Sequence, residues 1–247
     1  MSDMNQATQK ALSDLPSGPI VALEHDIGGA PDFSYLSVKL PAQEMLRVEA
    51  SAMQAMDTNI TIKTKMRGGF KRLITGERLF LNEFTAQDKA GELVIASTLP
   101  GDIKRLYLTQ GGPALFLQSG SFLAAGRGIE TQTKFQGFIK GFFSGAGLFL
   151  IKCTGEGDIF FNSYGGIIEI NVEDEYIIDN NHIVAFTEGL EYSVTKFGGY
   201  KSFMFSGEGL VTHFSGQGRV WIQTRAMPSF FAWINPFRRI VTRKRSR

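Results

Sequence analysis

The chain has 247 residues, 43% of them hydrophobic and 20% charged, with 28 glycines and 21 phenylalanines. That mixture can bury a full core and excludes wholesale disorder. A single Cys153 excludes a disulfide framework and a four-thiolate metal site, and the scattered His25, His182 and His213 argue against a histidine-rich one. No metal and no cofactor are therefore expected. The net charge of +2 hides an asymmetry: residues 226–247 hold six cations and no acid, leaving the other 225 residues at −4. A mildly acidic body disfavours a nucleic-acid footprint spread over it and concentrates attraction to phosphate in the tail.

The first fifteen residues, MSDMNQATQKALSDL, lack the apolar stretch of a secretory signal, so a cytoplasmic protein is expected. The first 45 residues, with Gly-Gly-Ala-Pro at 28–31 and a strand over Ser34 to Leu40, read as an irregular arm leading into the body. From Asn59 to Met66 the residues Ile60, Ile62, Thr64 and Met66 alternate with Thr61, Lys63 and Lys65, the pattern of a half-buried strand. Ile168, Ile170 and Val172 alternate with Glu169 and Asn171, and Val220 and Ile222 with Trp221 and Gln223. Glycine clusters punctuate these runs, as short antiparallel strands with tight turns require. The most apolar stretch, Phe138 to Ile151, has 14 residues and contains Lys140, too short to cross a bilayer, which takes about 20.

The runs repeat. TGERLF (75–80), SGAGLF (144–149) and SGEGLV (206–211) are spaced by 69 and 62 residues. Upstream, GGFKRLI (68–74) parallels GGYKSFMF (198–205). Downstream, AGELVIAS (90–97), TGEGDIFF (154–161) and SGQGRVWIQT (215–224) occupy corresponding places. We therefore expect an all-β fold of three similar β units in a pseudo-threefold arrangement, because one unit of this size hides too little apolar surface alone. The expected organisation is an arm and first strand over 1–45, a triplicated body over 46–225 (about 46–100, 115–175 and 176–225), and a tail over 226–247. In the tail, Pro228 suits the first turn of a short helix that places Phe230, Trp233, Ile234 and Phe237 on one stripe before Pro236 limits it.

The runs GGFKRLITGERLF (68–80), IIDNNHIVAF (177–186) and GQGRVWIQTR (216–225), in that order, resemble the altered-inheritance-of-mitochondria protein twenty-four family over roughly residues 45–225. The resemblance implies a fold related to the tryptophan-RNA-binding attenuator (TRAP)-like superfamily, with β-sandwich units akin to a short double-stranded β-helix. It also implies that eukaryotic relatives support the organisation of the mitochondrial inner membrane. It brings no catalytic residues.

Among candidate chemistries, Lys63, Lys65, Arg67, Lys71, Arg72 and Arg78 surround Gly68-Gly69, whose consecutive N–H groups could cradle a phosphate or an RNA backbone. The competing reading is a hairpin with solvated cations. Asp179 and His182 stand close enough in sequence for an acid–base pair, but no third partner is evident, and loop hydrogen bonds are the simpler role. Cys153, flanked by apolar residues, reads as an interior side chain. Glu173-Asp174-Glu175 reads as a solvated turn.

The tail is the most informative segment. Phe230, Trp233, Ile234 and Phe237 are followed at once by Arg238, Arg239, Arg243, Lys244, Arg245 and Arg247, an apolar face and a cationic one suited to an anionic lipid surface. The alternative is that the aromatic residues pack on the body or on another subunit. The favoured expectation is a non-enzymatic homo-oligomeric scaffold or adaptor, peripheral to the inner membrane through its tail. An RNA- or anion-binding protein using Lys63 to Arg78 is the second reading, and an enzyme around Asp179 and His182 the third.

Overall fold

The structure, a computed structural model, describes residues 19–65, 81–135, 149–196 and 210–238. A first strand, β1 (Glu24–Gly28), precedes three units of six strands each. The first unit holds β2 (Tyr35–Leu40), β3 (Met45–Glu49), β4 (Met53–Met56), β5 (Ile60–Lys65), β6 (Leu81–Ala86) and β7 (Gly91–Ala96). The second holds β8 (Ile103–Leu108), β9 (Leu115–Gln118), β10 (Phe122–Gly126), β11 (Ile129–Phe135), β12 (Phe149–Gly155) and β13 (Gly157–Asn162). The third holds β14 (Ile167–Val172), β15 (Glu175–Asp179), β16 (Ile183–Thr187), β17 (Leu190–Lys196), β18 (Leu210–Gly216) and β19 (Gly218–Gln223).

The triplication inferred from the glycine motifs is thus present, although TGERLF and most of the other two central motifs lie outside the described residues. Within every unit the fourth strand pairs with the fifth, the fifth with the second, and the sixth with both the first and the third. The third strand carries an irregularity at one place in all three: between Met53 and Ala55, between Phe122 and Ala124, and between Ile183 and Ala185. A bulge adds twist and bends the strand, so each third strand is turned by the same device. Gly155 and Gly216 close the turn before the sixth strand at φ near +100°, where a Cβ on Gly155 would meet the Gly128 carbonyl oxygen at 2.2 Å. The strand order sets the units at 35–96, 103–162 and 167–223, each beginning one strand before the limits expected from the motifs. That first strand finds its partner at the far end of its unit, a pairing no local motif announces.

Units are joined by one rule. The second strand of a unit pairs with the third strand of the next: β3 with β10 through Val48–Ala124, Arg47–Ala125 and Leu46–Gly126, and β9 with β16 through Leu117–Ala185, Phe116–Phe186 and Leu115–Thr187. Two six-stranded sheets result, β5-β6-β3-β10-β13-β8 and β11-β12-β9-β16-β19-β14. At the ends of the run stand two smaller sheets, β1-β2-β7-β4 and β15-β18-β17. Antiparallel ladders of this kind expose an edge only where the next strand is missing. Among the described residues, β4 and β15 have no partner on their outer sides.

The four sheets enclose three apolar cores. The first joins Leu36, Val38, Leu93 and Ile95 of the first sheet to Leu46, Val48, Phe84, Leu123 and Phe160 of the second. The middle core joins Phe122, Ile159 and Phe161 to Leu117, Ile151, Cys153 and Trp221. The last joins Leu150, Phe186 and Val220 to Ile178, Leu190 and Phe214. The inner sheets therefore bury both faces: in β13, Phe160 points to one core while Ile159 and Phe161 point to another. That explains why Trp221, read as lying on the face opposite Val220, is itself only 1% exposed.

Two local expectations change. The arm expected over the first 45 residues contains β1, which pairs with β2 from Glu24–Lys39 to Gly28–Tyr35 and extends the first sheet. In β5 Ile60 reaches the core, while Ile62, further along this edge strand, is 42% exposed.

Charges tie the second unit to the first and to the segment before β1. Arg47 is buried in the sheet and its Nη2 donates to the carbonyls of Gly126 (3.1 Å), Arg127 (2.9 Å) and Ile129. Asp158, 1% exposed, accepts from the Leu23 N–H at 2.6 Å and from Arg105 Nε at 2.6 Å. Glu44 pairs with Arg127 at 3.0 Å. Such groups tolerate burial only when hydrogen-bonded on this scale. Glu49 differs: desolvation at the end of β3 pushes its carboxyl up to about 7.

Replacing Trp221 by Ala should cost about 3–5 kcal/mol, since the cavity opens in a core shared by two sheets. Denaturant titration followed by far-ultraviolet circular dichroism measures it. The Glu49 carboxyl binds its proton more tightly folded than unfolded, so its contribution favours the fold at pH below about 4.5 and is lost as pH rises through about 7. Glu49→Gln should therefore flatten the fall in Tm between pH 5 and pH 8; an unchanged profile would show that Glu49 does not carry it.

Candidate functional site

The segment after β19 is held to the body by a short series of hydrogen bonds. Thr224 N–H donates to the Gly166 carbonyl at 3.0 Å, Thr224 Oγ1 accepts from Gly166 N–H at 2.9 Å, and Arg225 N–H donates to the Tyr164 carbonyl at 3.3 Å. Gln223 completes the clamp: its Oε1 accepts from Tyr164 N–H at 2.9 Å and its Nε2 donates to the Asn181 carbonyl at 2.9 Å. From this anchorage Ala226, 6% exposed, starts the helix α1 (Met227–Ile234), with Pro228 in its first turn as expected. A single 3-10 turn, Asn235–Phe237, follows, and Pro236 lies within it.

The helix meets the body through Phe230, whose ring stands edge-on to Tyr164 with centroids 6.0 Å apart. The stripe expected from the sequence exists: Phe230 and Trp233 are 6.1 Å apart and Trp233 and Phe237 6.0 Å. Beyond Phe230 it leaves the protein surface. Phe231 is 58% exposed, Trp233 66%, Ile234 42% and Phe237 75%. No residue from Met227 to Phe237 is charged, and Ser229 and Asn235 are the polar side chains among them, so the exposed element is predominantly apolar. An apolar helix left in water costs free energy, and helices of that composition are normally covered by protein or lipid. Between it and the body lies an open hollow bordered by Tyr164, His182, Arg225, Ser229, Phe230 and Trp233.

Of the tail cations, Arg238 follows the 3-10 turn directly, its N–H donating to the Asn235 carbonyl at 3.1 Å. Arg239, Arg243, Lys244, Arg245 and Arg247 lie outside the described residues. The same holds for Arg67, Lys71, Arg72 and Arg78 of the candidate anion site, while Lys63 and Lys65 sit on the edge strand β5.

The remaining candidates occupy structural positions. Asp179 caps the turn after β15 by accepting from Asn181 N–H at 2.7 Å. His182 donates through Nδ1 to the Gln223 carbonyl at 2.6 Å, tying that turn to β19. His213 stands on β18 opposite Ile177, and His25 packs edge-on to Phe160 at 5.3 Å. Among the described residues no group of three histidine, cysteine or acidic side chains converges as metal ligands would. Cys153 is fully buried and desolvation pushes its thiol up to about 12, the condition of an inert interior residue. Asp174 lies in the turn before β15, where its carbonyl accepts from Gly216 N–H at 2.9 Å. Sequence reading missed the buried charges Arg47 and Asp158, whose partners are 53 to 135 residues away and carry no local signal.

Among the described residues no helix is long and apolar enough to cross a membrane. The chain is 28% identical over 211 residues to an uncharacterised protein of Streptococcus pyogenes serotype M6, covering 80% of this chain and 84% of that one. It also matches a crystal structure of a protein from Streptococcus pyogenes with a TM-score of 0.73 and 26% identity, covering 87% of this chain and all of the other. The family described as "Mitochondrial biogenesis AIM24" matches residues 25–225, from β1 through β19 to the end of the clamp at Arg225, and the chain belongs to that family.

Proposed function

We propose that the protein is a non-enzymatic, homo-oligomeric scaffold attached to the cytoplasmic face of an anionic membrane by its C-terminal segment. The observation that carries the reading is the exposed, uncharged segment made of helix α1 and the turn after it, with Phe231, Trp233, Ile234 and Phe237 facing solvent and a basic run beginning at Arg238. The body supports it with rigidity: three cores and a hydrogen-bonded clamp fix where the helix emerges. Seated at headgroup level, each aromatic side chain buries apolar surface equivalent to about 1.5–3 kcal/mol, and each arginine adds about 1 kcal/mol against anionic lipid. Those quantities suffice for reversible attachment without a membrane span.

Full-length protein should pellet with vesicles containing phosphatidylglycerol, less so as salt rises, and not with pure phosphatidylcholine vesicles. Trp233→Glu with Phe237→Glu should weaken pelleting by about a hundredfold or more, at least about tenfold for each aromatic anchor lost. Both residues are exposed, so the melting transition should be unaltered. Undiminished pelleting of that variant, or indifference to lipid charge, would refute the attachment.

A further inference from the structure

We propose that β15 of one copy of this chain pairs antiparallel with β4 of a second copy, head to tail, in the register that joins the units inside the chain. The inference deepens the oligomeric part of the function proposed above and rests on it; it is independent of lipid.

The argument begins with the strand order. Each inner sheet consists of two halves, the fourth, fifth and second strands of one unit and the third, sixth and first strands of the next. The two end sheets are those same halves without their counterparts: β17-β18-β15 lacks the second half, and β4-β7-β2, with β1 beyond it, lacks the first. One copy supplies what the next is missing. The β15 edge corresponds to the edges of β3 and β9 that β10 and β16 occupy, and β4 corresponds to β10 and β16.

Correspondence extends to single residues. Val48 faces Ala124 and Leu117 faces Ala185. The equivalent positions at the ends are Ile178 and Ala55, so a branched aliphatic residue meets alanine at all three places. One position along, Arg47 faces Ala125 and Phe116 faces Phe186, whose rings stack at 5.1 Å. Their counterparts are Ile177 and Met56, which are 54% and 37% exposed. Tyr176 and Asp57 form the third pair. The irregularity between Met53 and Ala55 already gives β4 the bend of β10 and β16.

Burial and charge agree. Strands β10 and β16 are almost wholly buried under their partners, whereas every residue of β4 is exposed. Edge strands β5, β8 and β11 carry two charged residues or more: Lys63 and Lys65 on β5, Lys104 and Arg105 on β8, Glu130 and Lys134 on β11, whereas β14 holds Glu169 alone. Charge of that kind deters pairing with another chain. Strand β4, Met-Gln-Ala-Met, has none, and β15 has acids only at its two ends. The interface is heterologous, so its repetition closes a ring or extends a filament.

The test uses full-length protein in the absence of lipid. Wild type should sediment as a multiple of 27.3 kDa. Ile177→Lys should weaken association by about tenfold or more, since an ammonium would be buried opposite Met56. Adding Met56→Glu should restore most of the loss, while Ile168→Lys, an exposed residue on β14, should have no effect. Oxidising the double variant Met56→Cys, Ile177→Cys should give covalent oligomers that neither single variant forms. A wild type that is monomeric at all concentrations, including one whose own first 18 residues cover β4, overturns both this pairing and the oligomeric reading. An oligomer untouched by Ile177→Lys and without the intermolecular disulfide overturns the pairing alone.

Discussion

The structure depends on a shortage of apolar cover. A unit of about sixty residues makes two three-stranded half-sheets, and neither half can hide its faces or satisfy its edges without a neighbour. The chain resolves this by building each inner sheet from two units, so backbone pairing and core burial are solved by the same contact. Sheets that are apolar on both faces follow from that arrangement, as do the runs of consecutive buried residues in β10 and β13. The three cores are layers of one stack rather than three independent domains.

What distinguishes one junction from another is the side-chain pair at its centre. In the first, Ala125 leaves room for Arg47 to lie flat in the sheet and reach the carbonyls of the following turn. In the second, two phenylalanine rings occupy the same space. A phenylalanine facing Ala125 would take from those carbonyls the Arg47 guanidinium they accept from. The serial order of the units is thereby specified by chemistry as well as by connectivity.

Much of this was legible from the residues. Glycine motifs with a second strand downstream were enough to count the units, because tight turns demand glycine and turns recur with the unit. The tail was legible for a similar reason: Pro228 and the spacing of Phe230, Trp233 and Phe237 state a helix and a stripe. The pairing of first with sixth strands was not, since it joins residues some fifty positions apart, and alternation in β5 overstated its burial because period alone does not say whether a strand is central or at an edge. Nor could the sequence say that Phe230 would meet the body ring to ring while Trp233 and Phe237 stayed largely exposed. That depended on Tyr164, brought there by the clamp on Gln223 and Thr224.

Sharing each sheet between neighbours also defines what a repeat can be. The least length of chain that owns one seam of each kind, a donating second strand and a receiving third strand, is a full six-strand module. A shorter duplication would leave a raw margin inside the stack, whereas an added strand can lie only on an outer edge, as β1 does against β2. Each of the three modules present here is accordingly a complete set of six strands.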